Sequence, residues 1–371
     1  MVNTINAFDR ISDVDVVMTI KRPQAVVGLG NLLVINTVTA DQSETPLSDQ
    51  LTPEEVQNGL LMRKTDTATG AVYREYKNLD SVKNDYADNA DIVAKAEAYF
   101  AQENHSDRIA IADLPAGKEQ EALGAFWFFN WTFAIRAKSG DDNPAITLLS
   151  NIFEANKDHF LVIQSTDVTF LKTLQGQAYT IALKHDIAEP MDAAYVGAIA
   201  TLPVGSTTWK FKTLRGITPE ALTSTELNAI NQVNAVAYTT VFGKDQTTEG
   251  KTLSGEYIDT LHGVIWVQNE MQAKLQKLLQ DNDKLPYSQI GINMILAVAT
   301  QVLNTAYEKG IIQQDDNGKA DFTISATGRN EQSAKDLSNR HYGGLSFTYH
   351  ASGAIHSITV RGTINSDTYL N

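Results

Sequence analysis

The feature that most constrains the fold is an alternation of short apolar strands with helices in the first part of the chain. Buried strand patterns occur at 108–114, 159–165 and 178–186, and helical patterns at 145–158 and 191–202. Strands and helices in this order indicate an α/β layer. The aromatic residues between 126 and 133 are too dense, and too far from basic residues, for a base-stacking surface, so we expect them in the core.

Further strand and helix patterns precede this layer. Residues 13–21 alternate with period two, which predicts a strand with one buried face formed by Val14, Val16, Met18 and Ile20. Pro23 ends that strand, because proline cannot donate to a ladder. The other elements expected here are a strand at 26–35, a hairpin at 61–76 and one helix at 79–102.

Turn residues interrupt the pattern between 202 and 219 and predict a domain boundary. The sequence is thus divided into an N-terminal strand arm (1–22), a first α/β domain (23–202) and a second domain (203–371). The overall class is α/β (α+β), since the second domain mixes strands with long helices.

The second domain is expected to contain three helices and a final hairpin. Thr218 and Pro219 suit the N-cap and first position of a helix at 218–236, and two longer helices follow at 255–279 and 289–309. Residues 345–364 predict a hairpin that turns on Ser352 and Gly353.

Composition excludes several classes of function. The 371 residues carry a net charge of -14, which is the wrong sign for a nucleic-acid footprint. No cysteine is present, which excludes disulfides, thiolate nucleophiles and cysteine-based metal sites. The N-terminus has acids where a signal peptide is basic and apolar, and no apolar run approaches the ~20 residues of a membrane span. We therefore expect a protein folded in a cytoplasm, without membrane insertion.

Residues 243–252, GKDQTTEGKT, look like a phosphate-binding loop between a strand and a helix. Six residues separate Gly243 from the Gly250–Lys251 pair, whereas a phosphate loop has four, and two of the six are acids. The spacing favours a polar connection between a strand and a helix. A nucleotide-binding protein remains the alternative.

No catalytic or metal-binding constellation stands out. Glu256, Asp259 and His262 are spaced by three residues, whereas zinc helices place ligands at i and i+4 on one face. The chain has no nucleophile elbow, and His350 and His356 are expected to be half-buried residues of the final hairpin. We predict no enzyme activity, no cofactor and no metal.

The C-terminal part of the chain resembles the tail sheath proteins of contractile-tailed phages. The resemblance rests on three stretches in this order: LPVGSTTWKFKTLRGITP (202–219), LNAINQVNAV (227–236) with its continuation through the long helix, and SGAIHSITVRG (352–362). The resemblance covers the C-terminal part of the chain best. Within that family, the chain is most similar to the compact subgroup. It implies an outer domain (23–202), an inner domain (203–371), and a connector at 242–254 that needs no nucleotide.

The resemblance also implies how the protein assembles. Sheath subunits form a helical polymer around a tail tube, between a baseplate and a terminator, in a virion assembled in the host cytoplasm. Terminal strands add to a neighbour's sheet, which assigns the joints to Val14, Val16, Met18, Ile20, Ile355, Ile358, Val360 and Ile364. The helix at 269–284 would grip the tube through Lys274 and Lys277. The final strand could instead stay within its own chain, and another tail component, such as a tube or baseplate protein, remains an alternative function.

Overall fold

The computed structural model describes residues 29–39, 48–138, 140 and 142–362. The arm predicted at 1–22 lies outside these residues, and so does Ile364. Seven strands form the main sheet: β1 (Leu32–Val38), β2 (Leu60–Thr65), β3 (Val72–Tyr76), β4 (Ile109–Pro115), β5 (Phe133–Arg136), β6 (Phe160–Ser165) and β7 (Thr180–Lys184). Their order is β2-β3-β4-β1-β5-β6-β7.

The centre of this sheet is parallel and one end is antiparallel. β1 pairs in parallel with β4 and β5, and β5, β6 and β7 continue in parallel. β2 and β3 form the predicted hairpin and join the antiparallel side of β4. The first four residues of β1 are buried, as expected for a strand whose two faces are both covered. The predicted mixed α/β class is confirmed.

Eleven α-helices are found among the described residues: α1 (Pro53–Gln57), α2 (Leu79–Tyr86), α3 (Ala90–Phe100), α4 (Glu119–Ala125), α5 (Asn143–Asn156), α6 (Val168–Thr173), α7 (Met191–Ile199), α8 (Ser224–Gln232), α9 (Ile258–Gln280), α10 (Gln289–Glu308) and α11 (Ala334–Ser338). α10 ends as predicted, with Lys309 as C-cap and Gly310 in the left-handed region.

Two predicted helix boundaries are wrong for reasons of capping. The single helix predicted at 79–102 is divided into α2 and α3, because the Asn89 side chain accepts from the Ile92 N–H and starts a new helix. The helix predicted from Thr218 begins at α8, where Thr223 and Glu226 form a capping box. Thr218 instead donates to the Glu189 carboxylate over 2.7 Å.

Two small antiparallel sheets complete the fold. One pairs β8 (Tyr238–Val241) with β9 (Lys244–Thr247), and the other pairs β10 (Phe322–Ala326) with β11 (Leu345–Tyr349).

The buried apolar side chains form two clusters. The first runs from Leu32 to Ile265 and includes the main sheet, and the second runs from Trp266 to Ile312 between α9, α10 and the β10–β11 sheet. The aromatic stretch lies in the first core as predicted, with Trp127 and Trp131 fully buried. Side chains of residues 209–238 also pack in the first cluster, so the cores divide near Ile265, whereas the domain boundary stays a prediction at residue 202/203.

Contrary to the sequence-based expectation, α10 has the length and apolar composition of a membrane span, and it is the one described helix that does. A third of its apolar window is buried in the chain, where Ala299, Val302, Leu303 and Ala306 pack in the second core.

Candidate assembly surfaces

The segment after β11 does not form the predicted hairpin. β11 pairs with β10, so that Leu345 lies opposite Ala326 and Tyr349 opposite Phe322. Residues 352–362 belong to neither helix nor strand, so the hairpin predicted at 345–364, with its turn on Ser352 and Gly353, is wrong. The loop from Thr327 to Gly344 brings β10 beside β11, and nothing in the alternation pattern of residues 345–364 could reveal that competing partner.

The released segment exposes its large apolar side chains. Ile355, Ile358 and Val360 are 80%, 83% and 87% exposed. A group of exposed aliphatic residues is unusual on a folded surface. Ile358 and Val360, two residues apart, lie on one face of the segment when it is extended, and Ile355 lies on the other, so an extended segment here is a template for pairing with another sheet.

One side chain of the segment is held by the body of the protein. The His356 ring lies 2.8 Å from the Thr208 hydroxyl and packs edge-on against Tyr257, with 4.8 Å between the ring centres. Upstream, the Ser352 N–H donates to the Ile311 carbonyl over 2.9 Å. These contacts fix the place where the segment leaves the body. Thr208 and Tyr257 are distant from His356 in the chain, so no local sequence pattern could predict these contacts.

The β10–β11 sheet has one apolar face and one polar face. Phe322, Ile324, Leu345 and Phe347 pack on the second core, while Thr323 bonds Thr348 across the strands on the other face. Among the described residues each of the two strands has one strand partner, so each also presents an open edge.

The residues resembling a phosphate loop form the β8–β9 hairpin. Phe242 and Gly243 both have positive φ, which is the two-residue turn that matches strand twist. Several backbone N–H groups of residues 243–252 are bonded within the chain. Thr247 donates to the Lys212 carbonyl, Thr248 to the Ala237 carbonyl and Thr252 to the Glu256 carbonyl, so these three are not available to an anion. The expected strand-to-helix connector at 242–254 thus contains a strand of its own.

Nucleotides are expected not to bind this hairpin. A β-carbon at Gly250 would lie 3.0 Å from the buried Trp209 side chain, so Trp209 is a built-in reporter of any change there. Tryptophan fluorescence should stay constant when millimolar ATP or GTP is added with Mg²⁺. A saturable change that Gly250→Val removes would contradict this prediction.

Glu256, Asp259 and His262 do not form a metal-binding cluster. His262 is buried, and its Nε2 donates to the Leu29 carbonyl over 2.7 Å. Burial lowers the pKa of His262 to about 4 and raises the pKa of the Asp259 carboxyl. No group of three or more histidines and acids that could hold a metal occurs among the described residues.

The pKa of His262 predicts a loss of stability in acid. Its folded pKa of about 4 lies below the unfolded value of 6.5, so protons bind the unfolded chain more tightly. Stability is fully present above pH 6.5 and falls between pH 6.5 and pH 4, by about 3 kcal/mol from this group. Urea unfolding at several pH values measures how the free energy of unfolding depends on pH. His262→Gln should lack the decrease between pH 6.5 and pH 4 that this group causes, whereas His341→Gln, at an exposed site, should keep it.

The two lysines assigned to the tube lie on the exposed side of α9. Lys274 is 3.5 Å from Glu270, and Lys277 is 2.7 Å from Asp281, each one helical turn away. About half or more of each lysine side chain is exposed, so these pairs are weak surface contacts. Nothing in the described contacts distinguishes them from an ordinary solvated helix face, and the tube role stays a prediction.

Comparisons with known proteins bear on the whole chain. Residues 258–364 match the family described as "E217 tail sheath protein gp31-like, C-terminal domain". No curated protein matches the chain by sequence.

Three solved structures share the fold along nearly the full length. A chain of the anti-feeding prophage baseplate has a TM-score of 0.64 and 12% identity, with 99% of each chain covered. A chain of the PVC sheath complex of an extracellular contractile injection system, in its contracted state, has a TM-score of 0.61 and 10% identity. The match covers 96% of this chain and 98% of the other. A chain of the contracted helical sheath of the anti-feeding prophage has a TM-score of 0.58 and 13% identity. The match covers 98% of this chain and 99% of the other. The protein therefore has the fold of contractile injection system sheath subunits, and its residues 258–364 match the C-terminal domain of gp31-like tail sheath proteins.

Proposed function

We propose that this protein is the structural subunit of a contractile tail sheath, which polymerises around a tail tube and drives it through a host envelope. The observation that carries the proposal is the row formed by Ile355, Ile358 and Val360, exposed and without a strand partner among the described residues. A subunit with the sheath fold that leaves such a row open is suited to β-augmentation, in which an extended segment completes a sheet on another copy.

The polymer would be linked at both ends of the chain. The C-terminal joint uses Ile355, Ile358, Val360 and Ile364, and the N-terminal joint uses Val14, Val16, Met18 and Ile20. The open edges of the β10–β11 sheet are suitable acceptors, because each has unpaired backbone groups. Such joints could survive a change of lattice because the strand pairing stays intact while subunits rotate.

Contraction would use stored lattice energy rather than nucleotide hydrolysis. The backbone donors around the β8–β9 hairpin are engaged within the chain, which supports a mechanism without a nucleotide. The extended lattice would be metastable, and the charge of -14 on each copy would add repulsion that salt screens over ~10 Å.

The partners in this role are further copies of the chain, the tail tube, the baseplate and the tail terminator, within a virion assembled in the host cytoplasm. The tube contact is assigned to Lys274 and Lys277 on the exposed side of α9. Two lysine charges there would suit an acidic tube surface.

Reversing these two charges tests the tube contact. Lys274→Glu with Lys277→Glu should prevent assembly on purified tubes by adding repulsion, while far-UV circular dichroism stays unchanged. The same reversal at the exposed Lys118 and Lys319 is the matched control and should assemble normally. If both double variants assemble alike, the two α9 lysines have no role in tube binding.

Electron microscopy of the purified protein tests the proposed function directly. A sheath subunit should form tubes of stacked rings, alone or on tail tubes. Tubes that form in the extended state should shorten irreversibly in acid, urea or heat without ATP. A protein that stays monomeric with tubes present, or that shortens only with ATP, would refute the proposal.

A second candidate function is a component of the baseplate. It is favoured by the structural likeness to a chain from the anti-feeding prophage baseplate, at a TM-score of 0.64. A baseplate component should form closed rings or small assemblies under the same conditions, and no long tubes.

A further inference from the structure

The tip of the β8–β9 hairpin presents Phe242 in a way that local structure does not explain. The ring is completely exposed, and Val241 beside it is also exposed. The φ of Phe242 is 49°, in the left-handed region that bulky side chains rarely adopt. The first central position of such a turn favours asparagine or aspartate, which would suit both the backbone and the solvent better. A strained, exposed aromatic residue therefore indicates a contact with another molecule.

A second group of exposed apolar side chains lies at β2, an outer strand of the main sheet. The register of β2 against β3 shifts between Leu60 and Met62, so Leu61 is an extra residue that bulges the strand. The bulge breaks the alternation of faces, and Leu61 and Met62 are consecutive and both exposed. α1 lies against β2, and its Val56 is 58% exposed. Val56, Leu61 and Met62 form what we call the edge patch.

The hairpin tip and the edge patch lie at opposite ends of one sheet. Val236 pairs with Leu183 of β7, and the chain then continues into β8, so the hairpin extends the sheet beyond β7. β2 is the outer strand at the other end, and six strand spacings, about 29 Å, separate it from β7. Phe242 therefore cannot reach the edge patch of its own chain. A contact between opposite ends of two copies is heterologous, and it can repeat from copy to copy.

We propose that Phe242 of one copy docks on the edge patch of the next copy of this chain, an inference that rests on the proposed polymer. A phenylalanine buries about 150–250 Å², whereas an interface that holds two proteins by itself buries at least about 1,000 Å². The contact is thus too small to hold a free partner, but it suits a neighbour that other contacts already hold.

The charges near the two surfaces agree with a contact between copies. Lys244 lies two residues from Phe242, and Glu54 lies on α1 with the edge patch. Both side chains are exposed, and neither has a salt bridge among the described residues. Opposite charges beside an apolar contact orient the two copies and disfavour the reversed arrangement.

Replacing Phe242 by asparagine separates assembly from folding. Asparagine tolerates the left-handed region, so the melting temperature of the unassembled subunit should stay the same or rise. The protein concentration needed for polymerisation should rise at least about tenfold, because the buried ring is lost. Phe242→Tyr keeps the ring and the backbone strain, and it should polymerise within about twofold of the natural concentration. An unchanged concentration for Phe242→Asn would overturn the contact.

Engineered cysteines test the contact inside the polymer, because the natural chain has no cysteine. Phe242→Cys is combined in turn with Val56→Cys, Leu61→Cys or Met62→Cys in the full-length protein, and the polymers are oxidised mildly. At least one pair should give a long series of disulfide-linked chains on non-reducing gels, because each copy is linked at both ends. In the control, Lys118→Cys, at an exposed site on another loop, replaces the edge-patch cysteine and should give less than about a tenth as much.

Each result of the cysteine experiment decides the proposal. A series of linked chains that the Lys118→Cys control lacks supports it. Polymers without linked chains, or with equal linking in the control, overturn it. Linked dimers from Phe242→Cys alone also overturn it, by assigning two hairpin tips to each other. A natural protein that forms no polymers refutes the proposed function, and the contact with it.

Discussion

Replacing Ile358 and Val360 by aspartate should abolish polymerisation and leave a folded monomer. Both side chains are more than four-fifths exposed in the subunit, so the substitutions remove little from its own stability. In a joint with a neighbour each would be buried, and each aliphatic side chain contributes about 1.5–3 kcal/mol. The double variant thus loses about 3–6 kcal/mol per joint, besides the cost of burying charge, and a lattice multiplies that loss over every subunit.

The opposite face of the same segment supplies the matched control. Ser357 and Thr359 alternate with Ile358 and Val360, and both are exposed. Ser357→Asp with Thr359→Asp adds the same two charges to the other face of the segment, at two positions that carry hydroxyl side chains rather than aliphatic ones. Sedimentation and electron microscopy should show polymers for this control and monomers for the first variant. Polymers in both variants would mean that the segment after β11 does not join subunits.

The main sheet could be predicted because its signals are local. The strands at 108–114, 159–165 and 178–186 are short apolar runs, and each lies within two residues of β4, β6 and β7 at its ends. The start of α8 was predicted wrongly, because two nearby threonines could each cap a helix. Thr218 with Pro219 looked like a helix start, yet Thr223 with Glu226 forms the reciprocal capping box, which satisfies two backbone donors.

The assembly surfaces could be predicted only in part, because pairing partners are not local. The alternation in residues 345–364 correctly indicated a strand at β11, but it could not exclude β10 as the partner. A strand that takes a different partner leaves Ile355 and its neighbours exposed, which changes a closed hairpin into an open joint. Similarly, the spacing of Glu256, Asp259 and His262 could not reveal that His262 bonds the distant Leu29 carbonyl.

Replacing Lys95 by methionine should destabilise the protein by about 3–5 kcal/mol, because it leaves a buried carboxylate without its cation. Lys95 on α3 and Asp192 on α7 are both nearly fully buried, and the lysine Nζ lies 2.7 Å from each carboxylate oxygen. The two helices are in close contact there, since a β-carbon at Gly197 would lie 2.7 Å from the Tyr99 carbonyl. Water cannot easily replace the lost ammonium group at such an interface.

Two further variants separate the lost charge from lost packing. Adding Asp192→Asn to Lys95→Met removes the orphaned charge but keeps an oxygen for the Ala193 N–H, which bonds Asp192 over 2.7 Å, so at least half the loss should be recovered. Lys83→Met breaks a salt bridge to Glu97 that is about half exposed, and it should cost less than about 1 kcal/mol. Urea unfolding followed by tryptophan fluorescence measures all three, and equal losses for Lys95→Met and Lys83→Met would show that burial of the Lys95–Asp192 pair does not set the cost.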